Sequence, residues 1–343
     1  MLEAGVIIFL SCYSCCSHFN HNSGNEFFQP ISSLPDSVPQ IRYNQNLSYQ
    51  FALKKTGLLA DILYRQYEEV IGKMLNDYNR ASPDEKFKIR EKMLDTFMPV
   101  YENIQERGLR RLQFHLVDGT NLIRFHKPQM FGDPMLPFRK SLQMVNETQK
   151  FVSGFEEGRF WTGFRYVYPV FFNGQHLGTV EMGFDFDAIK REMATYTGTY
   201  LVMFLKKDIV QKKLFNKDEI KNYRVCNIND NFIVEKNYRP LIKRHTKLCE
   251  CFSSNPIDVR QKMDTLTEFN EVIRNNNTFS LIHFLPIRNI ANDKVGYIAA
   301  VIENIAAPSL TYFFYAKIVI GAVCLILLML YWNNRINKLN QKS

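Results

Sequence analysis

Charged and aromatic side chains suited to binding a small molecule gather between residues 112 and 184. Two hairpin-like stretches frame them, and a long irregular segment, 127–163, joins the two. Small-molecule sites are mostly apolar and carry a few convergent polar groups. The candidates lie at the end of the first hairpin, in the joining segment and at the entry to the second hairpin: Arg124, His126, Lys127, Arg139, Glu156, Trp161, Arg165 and Tyr166.

The chemistry of these residues favours an anionic or zwitterionic ligand. A guanidinium group presents a planar fork that binds a carboxylate through two hydrogen bonds. Several cations among aromatic rings suit such a ligand. Each residue could equally be a surface charge or one half of an internal salt bridge, so both interpretations stay open.

The register of the second hairpin decides which way Arg165 points. If Asn173-Gly174 is a two-residue turn, Tyr166 faces Glu181, and Arg165 lies on the opposite side of the sheet. Arg165 and Glu181 then form no cross-strand pair, and a slip by one residue inverts the argument. We therefore expect Arg165 rather than Glu181 to contact the ligand.

The two hairpins are predicted from alternation and turn residues. Leu112, Phe114 and Leu116 alternate with polar residues before the turn pair Asp118-Gly119. The second hairpin has aromatic and β-branched strands on either side of Asn173-Gly174.

Two helical stretches precede the first hairpin. Apolar residues recur at three- and four-residue steps over 47–78, after a Pro-, Ser- and Asn-containing linker at 22–45. Ser82-Pro83 starts a second helix, which Gly108 ends, and Pro99 is expected to kink or break it.

The C-terminal half repeats part of this pattern. We expect a short helix over 185–196, a strand pair over 200–215 that turns at Lys207-Asp208, and strands over 278–303. Pro169 matches Pro286, and Gly178 matches Gly296, within similar strand–turn–strand stretches. Weak repetition of a whole unit predicts two similar modules in tandem.

The stretches LQFHLVDGTNLIRFHKPQMFGD, VSGFEEGR and FRYVYPVFFNGQHLGTVEMGFD resemble the double Cache sensor domains of two-component kinases and chemoreceptors. The resemblance implies an α+β fold, in which a long N-terminal helix supports two tandem PAS-like modules with antiparallel sheets. It implies a signal or anchor with a linker at 1–43, a helical region at 44–110, a membrane-distal module at 111–196 that usually holds the ligand, and a membrane-proximal module at 197–308. Receptors of this kind continue into an output domain, which this sequence is not expected to contain.

A membrane segment is predicted near the C-terminus. The run over 310–332 is apolar except for Lys317, and the tail at 333–343 is basic. The positive-inside rule places this tail in the cytoplasm and residues 44–308 in the periplasm, outside the inner membrane. The short apolar stretch near the N-terminus could be a signal, a first span or a mis-assigned start.

Several other functions are disfavoured. The chain has 343 residues and a formal charge of +9, but the basic residues form no stripe or reading motif for nucleic acid. No catalytic motif, metal-ligand set or cofactor site stands out. Cys226 is expected to form a disulfide with Cys249 or Cys251.

The sequence therefore predicts a non-enzymatic, extracytoplasmic small-molecule sensor. We expect it to act as a homodimer or with a full-length receptor. Three alternatives remain: an interaction protein that modulates a receptor without binding ligand, a truncated receptor fragment, and an enzyme.

Overall fold

A computed structural model describes residues 37–158, 161–197, 200–214, 220–221, 223–226, 228–235, 256–275, 278–306 and 308–340. The predicted signal or anchor lies outside these residues, since they begin at residue 37. The predicted disulfide partners Cys249 and Cys251 lie outside them as well.

Two long helices open the described chain. Helix α1 spans Ser37–Arg80, so the predicted linker is helical from residue 37 onward, and α2 spans Pro83–Gln105. At the start of α2 the Glu85 carboxylate accepts a hydrogen bond from the Ser82 backbone N–H at 2.9 Å, as in a capping box. The predicted break at Pro99 is wrong, since α2 continues through it. Pro99 is exposed, so water can hydrogen-bond the carbonyl that loses its helical partner.

The first sheet holds the residues predicted to bind ligand. Its antiparallel strands are β1 (Leu109–Leu116), β2 (Asn121–Arg124), β3 (Val152–Glu156), β4 (Gly163–Phe172) and β5 (Gln175–Phe184), in the order β2-β1-β5-β4-β3. The segment predicted to be irregular contains β3 and helix α3 (Lys140–Thr148). Helix α4 (Phe186–Thr197) follows β5, as predicted.

The second sheet has a matching arrangement. Its strands are β6 (Tyr200–Lys206), β7 (Tyr223–Val225), β8 (Phe232–Glu235), β9 (Phe269–Asn275), β10 (Thr278–Arg288) and β11 (Lys294–Ala306), in the order β7-β8-β6-β11-β10-β9. The prediction of a strand pair over 200–215 is wrong in its second half, because Lys207–Lys213 forms helix α5. Helix α6 spans Pro256–Asp264.

The predicted repeat has a structural basis in two glycines. Gly178 on β5 and Gly296 on β11 each follow a β-bulge. A Cβ at Gly178 would lie 2.1 Å from the His115 carbonyl oxygen, and one at Gly296 would lie 2.0 Å from the Phe204 carbonyl oxygen. At these two positions the strand approaches the backbone of its neighbour too closely for a residue with a Cβ atom. Both sheets therefore have glycine at the corresponding position.

The core joins the helices to one face of the first sheet. Leu112, Phe114 and Met182 pack with Phe97 of α2 and Leu75 of α1 in a single apolar cluster that extends to the second sheet. Residues that alternate with these on β1 and β5 point to the other face of the sheet. That second face carries the charged side chains.

The C-terminal helix α7 spans Pro308–Asn340, and its described apolar side chains are exposed. Among the described residues, no helix has both the length and the apolar character needed to cross a membrane. The predicted span over 310–332 is thus not confirmed. Cys226 is buried and has no disulfide partner among the described residues; its predicted partners, Cys249 and Cys251, lie outside them.

Candidate functional site

Four charged side chains meet on the face of the first sheet that points away from α1 and α2. This charge cluster consists of Arg139, Glu156, Arg165 and Glu181, each at most 5% exposed. Arg165 Nη1 lies 2.5 Å from Glu181 Oε1, and Arg165 Nε lies 3.6 Å from Glu156 Oε2. Arg139 lies 3.9 Å from each of the two carboxylates. Two buried guanidiniums therefore face two buried carboxylates.

The predicted register of the second hairpin is wrong by one residue, which explains the contact between Arg165 and Glu181. The Asn173-Gly174 turn is present, with positive φ at both residues, but Leu177 forms a bulge between the pairs Phe171–His176 and Val170–Gly178. Beyond this bulge, Val167 instead of Tyr166 pairs with Glu181. Arg165 and Glu181 consequently share one face of the sheet, as diagonal neighbours.

Glu156 connects the charge cluster to helix α3. Its carboxylate accepts hydrogen bonds from the Ser141 backbone N–H at 3.1 Å and from the Ser141 hydroxyl at 2.7 Å. Ser141 lies in the first turn of α3, where backbone N–H groups lack helical partners and favour negative charge. Glu156 therefore fastens α3 over the sheet while it faces Arg165 and Arg139.

Trp161 covers the charge cluster. Its indole ring lies over Gly163 and Gly183, where added Cβ atoms would approach the ring to 1.9 Å and 3.3 Å. The guanidinium groups of Arg165 and Arg111 lie 5.2 Å and 5.5 Å from the ring centroid, within cation–π range. The two glycines thus make room for an indole that closes the site and contacts its cations.

A row of polar side chains on β1 and β2 extends the cluster. Asn121 donates to Gln113 at 3.0 Å, and Gln113 donates to Glu181 at 3.4 Å. His115 Nδ1 lies 3.2 Å from the Thr179 hydroxyl. All of these side chains are buried.

Burial and neighbouring charge set the protonation states. Burial alone raises the pKa of Glu181, but the guanidiniums of Arg165 and Arg139 outweigh it and hold this pKa at about 2. Burial and the positive charge of Arg139 lower the pKa of Arg165, and this effect exceeds the opposite effect of the Glu181 and Glu156 carboxylates. Burial also lowers the pKa of His115 to about 4. At neutral pH the Glu181 carboxylate is therefore ionised and His115 is neutral.

The site keeps unused hydrogen-bonding capacity. Among the residues that the structure describes, the following buried atoms lack a hydrogen-bond partner: Arg139 Nε and Nη1, Arg165 Nε, Arg111 Nε, Trp161 Nε1 and Glu181 Oε2. Buried polar groups are normally satisfied, and each exception calls for an explanation. This set could bind a carboxylate at the guanidinium and indole N–H groups, and a cationic group at Glu181.

The structure brings together Arg139, Glu156, Trp161 and Arg165 of the eight predicted residues. Tyr166 lies on the other face, where its hydroxyl contacts Thr56 Oγ1 at 2.6 Å. The Tyr166 hydroxyl also donates to the Leu53 carbonyl of α1 at 2.9 Å.

Three other predicted residues sit beside the cluster. Arg124 binds Asp133 through two hydrogen bonds of 2.6 Å and 2.7 Å, which fastens the loop after β2. His126 contacts the Arg111 guanidinium, and burial lowers its pKa to about 3. Lys127 is exposed.

Sequence reasoning set Glu181 aside in favour of Arg165, and it missed Arg111, Gln113 and His115. The last three alternate along β1 opposite the apolar positions Leu112 and Phe114. Polar residues that alternate with apolar ones on a strand buried on both faces would have indicated a buried polar site.

Comparison with known proteins identifies the class of this chain. The sequence profile of a family described as the double sensory domain of two-component sensor kinases matches residues 77–298. This match covers more than half of the chain, so the protein belongs to that family. The double Cache resemblance is thereby confirmed. A search of curated proteins finds no match.

Solved structures of sensor domains are similar to this chain at low identity. The sensor domain of the V. cholerae histidine kinase DctB is 12% identical, with 78% of this chain and 99% of that chain covered and a TM-score of 0.38. The ligand-binding domain of the Pseudomonas aeruginosa PAO1 chemoreceptor PctB, solved with L-Gln, is 11% identical over 85% of this chain and 99% of that one, with a TM-score of 0.37. The sensory domain of the Campylobacter jejuni chemoreceptor Tlp3, solved with isoleucine, is 11% identical over 83% and 100%, with a TM-score of 0.35.

Proposed function

We propose that this protein is a non-enzymatic sensor that binds a small anionic or zwitterionic molecule at the charge cluster and Trp161. The observation that carries the proposal is a set of guanidinium and indole N–H groups that are buried beside Glu181 and have no hydrogen-bond partner within the described part of the chain. Three arginines, Arg111, Arg139 and Arg165, face two carboxylates, so a ligand carboxylate would balance the charge of the site.

A ligand would bind between the sheet and the segment that covers it. Arg139, at the start of α3, comes from this segment, while Glu156, Arg165 and Glu181 come from strands of the sheet. A carboxylate between the two arginines would compete with Glu156 and draw the segment and the sheet together. Ligand binding would thus change the position of β3 and α3.

A thermal-shift screen of the full chain tests this function. The panel would contain the twenty L-amino acids and small mono- and dicarboxylates at neutral pH. We expect at least one compound to raise the melting temperature, because a ligand that binds only the folded state stabilises it. Arg139→Met should remove that shift, since it deletes the Nε and Nη1 groups, which have no hydrogen-bond partner among the described residues and would bind the ligand. A panel without any shift would contradict the proposal.

The second candidate is an interaction protein that binds no ligand. The contact of 2.5 Å between Arg165 Nη1 and Glu181 Oε1 favours it, because the protein's own carboxylate already binds this guanidinium. In that case the cluster is a buried ion-pair network that fixes the fold. The same screen separates the two functions.

We further propose that α7 anchors the protein in the inner membrane, with residues 44–308 on the periplasmic side. Support comes from its exposed apolar side chains, which include Ile318, Leu325 and Leu330 at 51%, 60% and 59%, and from the basic tail after them. Reporter fusions after Asn304 and after Ser343 should report opposite sides of the membrane. Identical signals would contradict this anchor.

A second copy of the chain is the partner that we propose for α1. Five large apolar residues recur along its exposed side within an arc of about 100°: Tyr43, Leu47, Phe51, Leu58 and Ile62, each 41–62% exposed. A self-complementary stripe of this kind suits a symmetric helix pair. A full-length receptor with a similar helix is the alternative partner.

A further inference from the structure

The second sheet reaches the candidate site through one tight turn. β3 is the edge strand of the first sheet, and the β10–β11 turn (residues 289–293) lies against it. Asn289 forms a parallel bridge with Phe155, and the Ile290 N–H donates to the Phe155 carbonyl at 2.8 Å. The turn therefore extends the first sheet beyond its edge.

The Asn289 side chain locks this contact with both of its polar atoms. Its Oδ1 accepts hydrogen bonds from the backbone N–H groups of Ala291 at 3.0 Å and Asp293 at 2.9 Å, which fixes the turn. Its Nδ2 lies 3.3 Å from each carboxylate oxygen of Glu157. The Asn289 amide thus fixes the conformation of the turn and also contacts Glu157, the residue that follows β3.

Glu157 is buried, and an ionised carboxylate in that position needs a donor. Its side chain is 3% exposed, and burial raises its pKa despite the hydrogen bond from Asn289. Ile290 packs beside Gly154, where an added Cβ would lie 3.3 Å from the Ile290 side chain. Polar and apolar contacts therefore hold the turn at both sides of Phe155.

The neighbouring residue of the same strand belongs to the charge cluster. Glu156 binds Ser141 at the start of α3 and faces Arg139 and Arg165. The contacts to the turn are made at residues 155 and 157, so Glu156 is held on both sides by the second sheet. A shift of the turn would move this carboxylate relative to the arginines.

We propose that Asn289 is a positioning residue for the candidate site: it acts through Glu157 and Phe155 to fix Glu156 against Arg165 and Ser141. This inference rests on the proposed function in one respect. If a ligand binds the arginines, contact of the turn with β3 changes the ligand affinity. Ligand binding then changes the stability of that contact by the same free energy, because coupling between two sites is reciprocal.

The test uses the full chain with Trp332→Phe, which leaves Trp161 as the single tryptophan. Glu157→Ala removes the acceptor of Asn289 but keeps the hydrogen bonds inside the turn. Loss of a buried hydrogen bond changes a local opening equilibrium by about fivefold to tenfold. We therefore expect amide exchange at Ser141 to accelerate by about that factor, and the Trp161 emission to shift to longer wavelength.

Two further variants complete the experiment. Asn289→Asp removes the amide that donates to Glu157, at a position that is partly exposed, and it should give the same result. The test therefore still works if the Glu157→Ala protein misfolds. Arg288→Ala is the control, because the bond from Arg288 to the Asn292 carbonyl stays within the turn. It should leave Ser141 and Trp161 unchanged.

Faster exchange at Ile290 alone, with Ser141 and Trp161 as in the parent, would overturn the inference. The turn would then only pack against β3. The readouts need no ligand, so they stay informative even if the ligand screen fails.

Discussion

At the scale of single residues, the ion pair between Arg165 and Glu181 dominates the site. Both side chains are fully buried, and a buried charge that loses its partner is far more costly than a pair that is replaced as a whole. The pair is thus a structural requirement of the fold as well as part of the candidate binding surface.

Arg165→Ala should destabilise the protein by roughly 3–5 kcal/mol, because it leaves Glu181 buried without its nearest cation. Arg165→Met combined with Glu181→Gln should recover much of this loss. Urea unfolding of the single and double variants measures the difference. Arg65→Ala is the control, since Arg65 pairs with Asp61 on the surface, and it should cause no measurable change. If Arg165→Ala is as stable as the parent, Arg165 and Glu181 are not a buried ion pair.

His115 should make the protein less stable in acid. The unfolded chain protonates this side chain below a pKa of 6.5, whereas burial lowers the folded pKa to about 4. The unfolded state therefore binds more protons as the pH falls from 6.5 to 4, and stability is lost over that window by up to about 3 kcal/mol.

His115→Gln should flatten this pH dependence, as measured by urea midpoints at pH 7 and pH 4.5. His176→Gln is the matched control at a half-buried histidine and should have a smaller effect. An unchanged slope in His115→Gln would mean that His115 is solvated in the folded protein.

At the scale of secondary structure, the sequence predicted the hairpins but not their register. The turn at Asn173-Gly174 was predicted correctly, because both residues tolerate positive φ. The bulge at Leu177 was not predicted, since an extra residue in one strand leaves the apolar pattern almost unchanged. One unrecognised bulge was sufficient to place Glu181 on the face of Tyr166 instead of the face of Arg165.

The covering segment was harder to predict than the strands. Four of the eight candidate residues meet at the charge cluster and the indole above it, and three of these, Arg139, Glu156 and Trp161, come from the segment predicted to be irregular. Helix α3 and β3 are short, and tertiary contacts such as Glu156 with Ser141 define them. Local propensity does not encode such contacts.

Gly163→Ala should open the site by displacing Trp161, because the new methyl group would lie 1.9 Å from the indole ring. In the Trp332→Phe background, the Trp161 emission should shift to longer wavelength and become more accessible to iodide. Gly321→Ala adds the same methyl group where nothing lies within 4 Å, and it should change neither property. Unaltered emission in Gly163→Ala would show that the indole does not rest on this glycine.

At the scale of the whole molecule, the repeat was the most informative feature of the sequence. The match of Gly178 with Gly296 predicted two related modules, and the structure shows a bulge, a glycine and a central strand at both places. The second sheet lacks a comparable charge cluster among its described residues, and aromatic side chains such as Phe204, Phe284 and Tyr297 fill its core instead. Repetition therefore predicted the architecture, while the site had to be located from burial and charge.

Association through α1 should be sensitive to charge. Leu58→Glu with Ile62→Glu places two carboxylates in the proposed apolar stripe and should convert a dimer to a monomer in sedimentation velocity. Phe87→Glu is the control, because Phe87 is an equally exposed apolar residue, at 60%, on α2. A parent chain that is monomeric at high micromolar concentration would contradict the dimer.

The central claim is that the buried arginines of the charge cluster bind a small carboxylate. Calorimetric titration of the full chain with the most stabilising compound of the screen tests it most directly, with Arg139→Met and Lys127→Met beside the parent. We expect Arg139→Met to weaken binding by about tenfold or more, which corresponds to a lost charge-assisted hydrogen bond. Lys127→Met should bind as the parent does, because Lys127 is exposed outside the cluster. Equal affinities of the parent and Arg139→Met would contradict the account.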